Sequence, residues 1–120
     1  MMTDTQNELI RQFNHLAPRA VEFEGRKYSR RPSSIILIGK TENAHFQFRA
    51  KLRRDEFFPA TLGVEVTYVP GRDTYDIEIR HAEGTNFRTL GKLEDIYFDQ
   101  FEDLEGLVRC AARKAGDVPA

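Results

Sequence analysis

Residues 44–53 read AHFQFRAKLR, and the alternation within them sets the architecture. Successive side chains of an extended chain point to opposite faces, so Phe46, Phe48, Ala50 and Leu52 fall on one side and His45, Gln47, Arg49, Lys51 and Arg53 on the other. A strand with one apolar and one charged face belongs to an antiparallel sheet covered on one side only. The uncovered side of this strand is almost wholly basic.

Outward from this strand the period of two persists in both directions. Upstream, Val21 and Phe23 alternate with Glu22 and Glu24, Glu24-Gly25 is a turn signal, Arg26 to Arg31 is a strand ended by Pro32-Ser33-Ser34, and Ile35 to Gly39 is another. Downstream, Val64 to Val69, Thr74 to His81 and Phe87 to Leu93 are strands separated by the turn sequences PGRD and EGTN. In the middle one, Tyr75, Ile77 and Ile79 are expected to face in and Asp76, Glu78 and Arg80 out. Residues 55–63, with Phe57, Phe58 and Pro59, read as a loop or single helical turn that buries its aromatic rings.

Helical periodicity is confined to the two ends. Thr5 and Glu8 have capping-box spacing, and Leu9, Ile10, Phe13, Leu16 and Ala17 recur until Pro18, which predicts a helix over 5–17. Tyr97, Phe101, Leu104, Val108, Ala111 and Ala115 form a stripe that predicts a second over 96–115, with Gly116 as its cap. Asp99, Glu102, Asp103 and Glu105 crowd its first half, and Arg109, Arg113 and Lys114 its last turns, as the helix dipole favours. The expected fold is therefore α+β: an N-terminal helix, about six mostly antiparallel strands and a C-terminal helix. Both helices should lie on one face of the sheet in a two-layer sandwich.

A chain of 120 residues accommodates one modest core, so a single domain over 1–120 is expected, frayed at about 1–4 and 116–120. The longest clean apolar run, Ile35 to Ile38, is too short for a membrane span. The start MMTDTQNE lacks the basic and apolar regions of a secretory signal, so a cytoplasmic location is expected. Cys110 is the single cysteine and has no neighbouring histidine, which makes it a structural residue rather than a disulfide partner or nucleophile.

His15, His45 and His81 are scattered over a helix and two strands without ligand spacing, so no metal is expected. The glycines stand singly at turns in neither phosphate-binding pattern, and no other cofactor is implied.

What remains is charge. The formal net charge of -1 conceals +6 over residues 1–54 and -7 over residues 55–120. The segment RKYSRR places Arg26, Lys27, Arg30 and Arg31 beside Arg49, Lys51 and Arg53, a prospective stripe of seven cations with Tyr28 available for stacking. The outward acids Glu22, Glu65, Asp76 and Glu78 are placed to pair with it across the sheet. Residues 94–105 carry six carboxylates in twelve positions.

The first reading is a small protein-binding module, an adaptor, inhibitor or regulatory subunit that engages another protein or a second copy of itself. Its polar anchors would be the basic stripe or Asp99, Glu102 and Asp103. Ile35 to Ile38 cannot all share one face, so Ile35/Leu37 or Ile36/Ile38 would supply its apolar centre. The alternative is a nucleic-acid-binding protein that uses the same stripe. A third reading is a metal-independent nuclease centred on His45 and His81 near Arg49, Glu65 and Glu78.

Overall fold

A computed structural model describes residues 4–31, 35–36, 43–52, 54–55 and 59–117 of the chain. Helix α1 spans Asp4–Leu16, followed by strands β1 (Ala20–Phe23), β2 (Arg26–Ser29), β3 (Ile35–Ile36), β4 (Asn43–Ala50), β5 (Thr61–Val69), β6 (Thr74–Glu83) and β7 (Asn86–Ile96). A 3-10 helix, Phe98–Asp103, leads into α2, Leu104–Asp117. The α+β class and the helix–sheet–helix order are those expected from the sequence.

All the strand pairings are antiparallel. The sheet runs β1-β2-β4-β5-β6-β7, and β3 pairs with β4 beside β2. Glu24 and Gly25 close the first hairpin with φ of +51° and +74°, the two left-handed positions that a two-residue turn matched to strand twist requires. The ladder between β4 and β5 extends further than expected: β5 begins at Thr61, and the Ala50 N–H bonds the Ala60 carbonyl at 2.9 Å. Phe57 and Phe58, expected to plug the core, lie outside the described residues, as do Leu37, Ile38 and Arg53.

The core lies between the helices and one face of this sheet. Phe13 of α1 stacks on Phe46 of β4 with ring centroids 3.8 Å apart, and Phe101 leans on Phe13 at 5.4 Å. Phe46, Phe48, Leu62, Val64, Val66, Ile77 and Ile79 are fully buried on the same face. Each such side chain contributes roughly 1.5–3 kcal/mol by leaving water. Helix α2 touches both edge strands, β7 and β1, so the sheet curls around it. Its contact with β7 is a close one: a Cβ on Gly91 would stand 2.8 Å from the Ala111 carbonyl oxygen. At the other edge the Glu105 carboxylate accepts the Glu22 N–H at 2.6 Å, giving an edge-strand donor a partner.

Three local expectations are corrected. The segment 96–103 is not continuous α-helix, because Gln100 turns back to Tyr97: its Oε1 accepts the Tyr97 N–H at 2.7 Å and its own N–H bonds the Tyr97 carbonyl at 2.9 Å, tightening the first turns to 3-10. Glu8 makes no capping box with Thr5; its carboxylate instead takes Arg11 and Gln12. Leu52, expected inside, is 54% exposed because β4 ends at Ala50 and the alternation ends with it.

Candidate functional site

The strand register sorts the predicted interaction residues onto two faces, and the stripe of seven cations does not form. Val21 pairs with Tyr28 and Tyr28 with Ala50, all buried, so residues of β2 in phase with Tyr28 turn toward the helices. Arg30 is among them. It is only 5% exposed, and its guanidinium donates to Asn14 Oδ1 at 2.5 Å and to the carbonyls of Phe13 and Ala17 at 3.3 and 3.2 Å. These carbonyls end α1, where a cation complements the helix dipole, and the guanidinium also lies 4.8 Å from the Phe13 ring centroid. Burial, with Arg19 nearby, pushes its pKa down to about 10, so it remains charged at neutral pH.

Tyr28 is 2% exposed, and the expectation that it stacks on a ligand is therefore overturned. Its hydroxyl meets His81 Nε2 at 2.7 Å, while Arg88, which can only donate, lies 3.4 Å from Nδ1. This network assigns the proton of neutral His81 to Nε2. Burial, and then the positive charge of Arg88, holds the His81 pKa below its ordinary 6.5. Arg26 is likewise enclosed, donating to the Lys51 carbonyl at 2.7 Å and to Glu83 at 3.4 Å.

On the outward face Lys27 and Arg49 remain exposed, and Arg31 and Lys51 are exposed just past the ends of β2 and β4. Further along the sheet, acids and bases interleave: Arg80 bonds Glu65 and Glu78, both at 3.2 Å. Between these two zones the His45 imidazole lies over Gly63, its Cε1 and Nε2 each 2.7 Å from where a Cβ on Gly63 would stand. Its Nδ1 is buried without a hydrogen-bond partner among the described residues. Burial lowers the His45 pKa from 6.5, with Glu65 opposing and Arg80 adding to the effect.

A cleft of about 240 Å³ opens here, lined by His45, Gln47, Thr61, Gly63, Arg80 and Phe87 among others. His81 borders the cleft along β6, but its imidazole is turned to the opposite face, onto Tyr28. The two histidines expected to cooperate are thus separated by the sheet. Among the described residues no group of three or more His, Cys, Asp or Glu side chains is arranged to hold a metal ion.

The acidic half of the prediction lies on the helical layer. Asp99, Glu102 and Asp103 are exposed on the 3-10 helix, and Asp103 also receives the Gly106 N–H at 3.3 Å. Immediately before them Tyr97 and Phe98 are 59% and 51% exposed. Helical spacing puts Tyr97 in the buried stripe, but the 3-10 turn swings it out and leaves Phe101 as the first buried ring. Phe98 is one position off that stripe, so its exposure was legible. Phe87, 80% exposed at the start of β7, carried no such signal.

Ile35 packs partly buried against the core, and Ile36 pairs with His45. The described residues contain no helix long and apolar enough to cross a membrane. Comparison with protein-family models, curated proteins and solved structures finds no match to the chain.

Proposed function

We propose that the protein acts by binding, as a small module that docks a basic protein partner on the surface around Tyr97 and Phe98. The observation that carries this reading is the pairing of two adjacent exposed aromatic side chains, 59% and 51% accessible, with the exposed carboxylates of Asp99, Glu102 and Asp103. Large rings at the centre of a patch, rimmed by polar groups, are the arrangement from which interfaces draw most of their energy. The backbone beneath is already fixed by the bonds between Tyr97 and Gln100, so docking orders little new chain. The carboxylates give the surface its sign and select a partner rich in Lys and Arg. The apolar centre is thereby assigned to Tyr97 and Phe98 rather than to the Ile35–Ile38 run.

The test compares affinity capture from native lysate by the wild-type protein with capture by the Tyr97→Ala/Phe98→Ala double variant. Both side chains are exposed, so the variant should retain its circular dichroism and melting behaviour. A basic partner held by the wild type should bind the variant about tenfold or more weakly when the purified pair is titrated. Equal capture by both proteins overturns the assignment of this surface.

A further inference from the structure

The outward face of the sheet carries a second site that this reading leaves unused. Phe87 stands on it 80% exposed, far more than any other phenylalanine among the described residues except Phe98 approaches. The register puts Phe87 opposite Ala82, Ala82 opposite Thr61, and Thr61 opposite Arg49, so these four residues form one row across β7, β6, β5 and β4. The next row is Thr89, Arg80, Gly63 and Gln47. Ala82 leaves the floor low where the two rows meet, the His45 ring covers Gly63 beside it, and the cleft of about 240 Å³ lies there.

The chemistry of the walls is uneven. At one end is an aromatic ring with an open π-face. Along the floor are the amide of Gln47, the hydroxyls of Thr61 and Thr89 and the neutral imidazole of His45, a mixed set of donors and acceptors. At the other end lie Lys27, Arg49 and Lys51, none of which forms an ion pair among the described residues. Arg80 is held by Glu65 and Glu78, so the available positive charge is concentrated at the β2–β4 end.

We infer that this face binds single-stranded nucleic acid, seating an unpaired base against Phe87 with its polar edges toward His45, Gln47 and Thr61, and with the backbone phosphates on Lys27, Arg49 and Lys51. The combination of a stacking ring with a separate row of cations is the one that single strands exploit, since every base has a π-face and every linkage a negative charge. Arg49 and Phe87 are separated by three strand spacings, about 14 Å. A short strand laid along the row meets the ring and the cations together. A duplex keeps its bases stacked on one another, and a sheet that curls away from it presents nothing to enter a groove, so paired nucleic acid is excluded from the ring.

The experiment is fluorescence anisotropy with labelled single-stranded DNA and RNA twelve-mers, their duplex forms, and heparin as a base-free polyanion. At about 25 mM salt the single strands should bind and the affinity should fall steeply as salt is raised. Phe87→Ala, which removes an exposed ring and leaves the core untouched, should weaken single-strand binding about tenfold while leaving heparin binding unchanged. Arg49→Glu should weaken both. Absence of single-strand binding at about 100 μM protein in low salt overturns the inference. So does binding that Phe87→Ala leaves intact, or duplex and heparin binding as tight as the single strand's, because each means general attraction of a polyanion without a seated base. The Tyr97→Ala/Phe98→Ala variant should bind the strand normally, which separates failure here from failure of the protein-docking surface.

Discussion

Tyr28, Arg30 and His81 show how a polar side chain in a cationic sequence becomes part of an interior. Arg30 lies two residues after Tyr28 and shares its face, and at the helix end it donates to the Ala17 carbonyl and to the Phe13 carbonyl, which already accepts the Ala17 N–H at 2.9 Å. Its charge therefore supports the end of α1 rather than a surface stripe. His81 is enclosed by Tyr28, by the Phe23 ring at 5.4 Å and by Arg88, with Arg26, Glu24 and Glu83 in its field. Protonation at Nδ1 would replace an acceptor by a second donor facing Arg88. A base whose pKa is depressed on folding binds its proton more tightly in the unfolded chain, so stability is complete above the unfolded value of 6.5 and declines as pH falls below it toward the folded pKa. The shift at His45 acts in the same direction. Urea midpoints measured from pH 8 down to pH 5 should fall, and His81→Gln, which retains a hydrogen-bonding group without a titrating one, should flatten the decline. A profile unchanged by this substitution would mean that His81 is not the group responsible.

At the scale of elements, α2 is the piece that closes the molecule, and its seat on Gly91 is the most exacting contact. Gly91→Ala forces a Cβ to within 2.8 Å of the Ala111 carbonyl, and neither backbone is free to yield. The expected cost is about 1–3 kcal/mol in urea unfolding, the range for overpacked contacts. Because α2 also holds β1 through Glu105, the Glu22 amide should exchange faster with solvent in the variant. Gly71 has open space around its Cβ position, and Gly71→Ala should change stability by less than about 0.5 kcal/mol. Equal effects at the two glycines would refute the role given to the helix–strand contact.

The positions of β1, β4 and β6 were legible because alternation such as Phe46-Gln47-Phe48-Arg49 has one solution in an antiparallel sheet with one covered face, and those of β2 and β7 because turn sequences flank them. The start of β5 at Thr61 was not, because Pro59-Ala60-Thr61 carries turn and small-residue signals that only the ladder to Ala50 overrides. The acids of the 3-10 helix were legible as a charged surface. The site beside Gly63 was not, since it depends on which residues four strands place side by side, a relation fixed by register rather than by local pattern.

For the whole molecule, the charge asymmetry of the sequence yields one basic and one acidic patch on different layers. Lys27 and Arg49 lie on the outward sheet face with Lys51 exposed just past the end of β4, and Asp99, Glu102 and Asp103 lie on the helical layer. With a net charge of only -1 there is little overall repulsion to keep copies apart. Contact between two acidic surfaces, or between two basic ones, is opposed by like charge, so a symmetric dimer through either patch is disfavoured. Contact between the basic face of one copy and the acidic layer of the next is attractive and head-to-tail, which grows in open fashion instead of closing at two. Sedimentation at about 20 mM salt should therefore show an average mass that rises with protein concentration, and about 300 mM salt should return it to the monomer by screening. Arg49→Glu combined with Lys27→Glu should abolish the low-salt association, because it removes the attractive partner of the acids without touching the core. A dimer of fixed mass that persists in high salt would require an apolar interface in place of this electrostatic one, and the exposed Tyr97–Phe98 pair would be the first place to look for it.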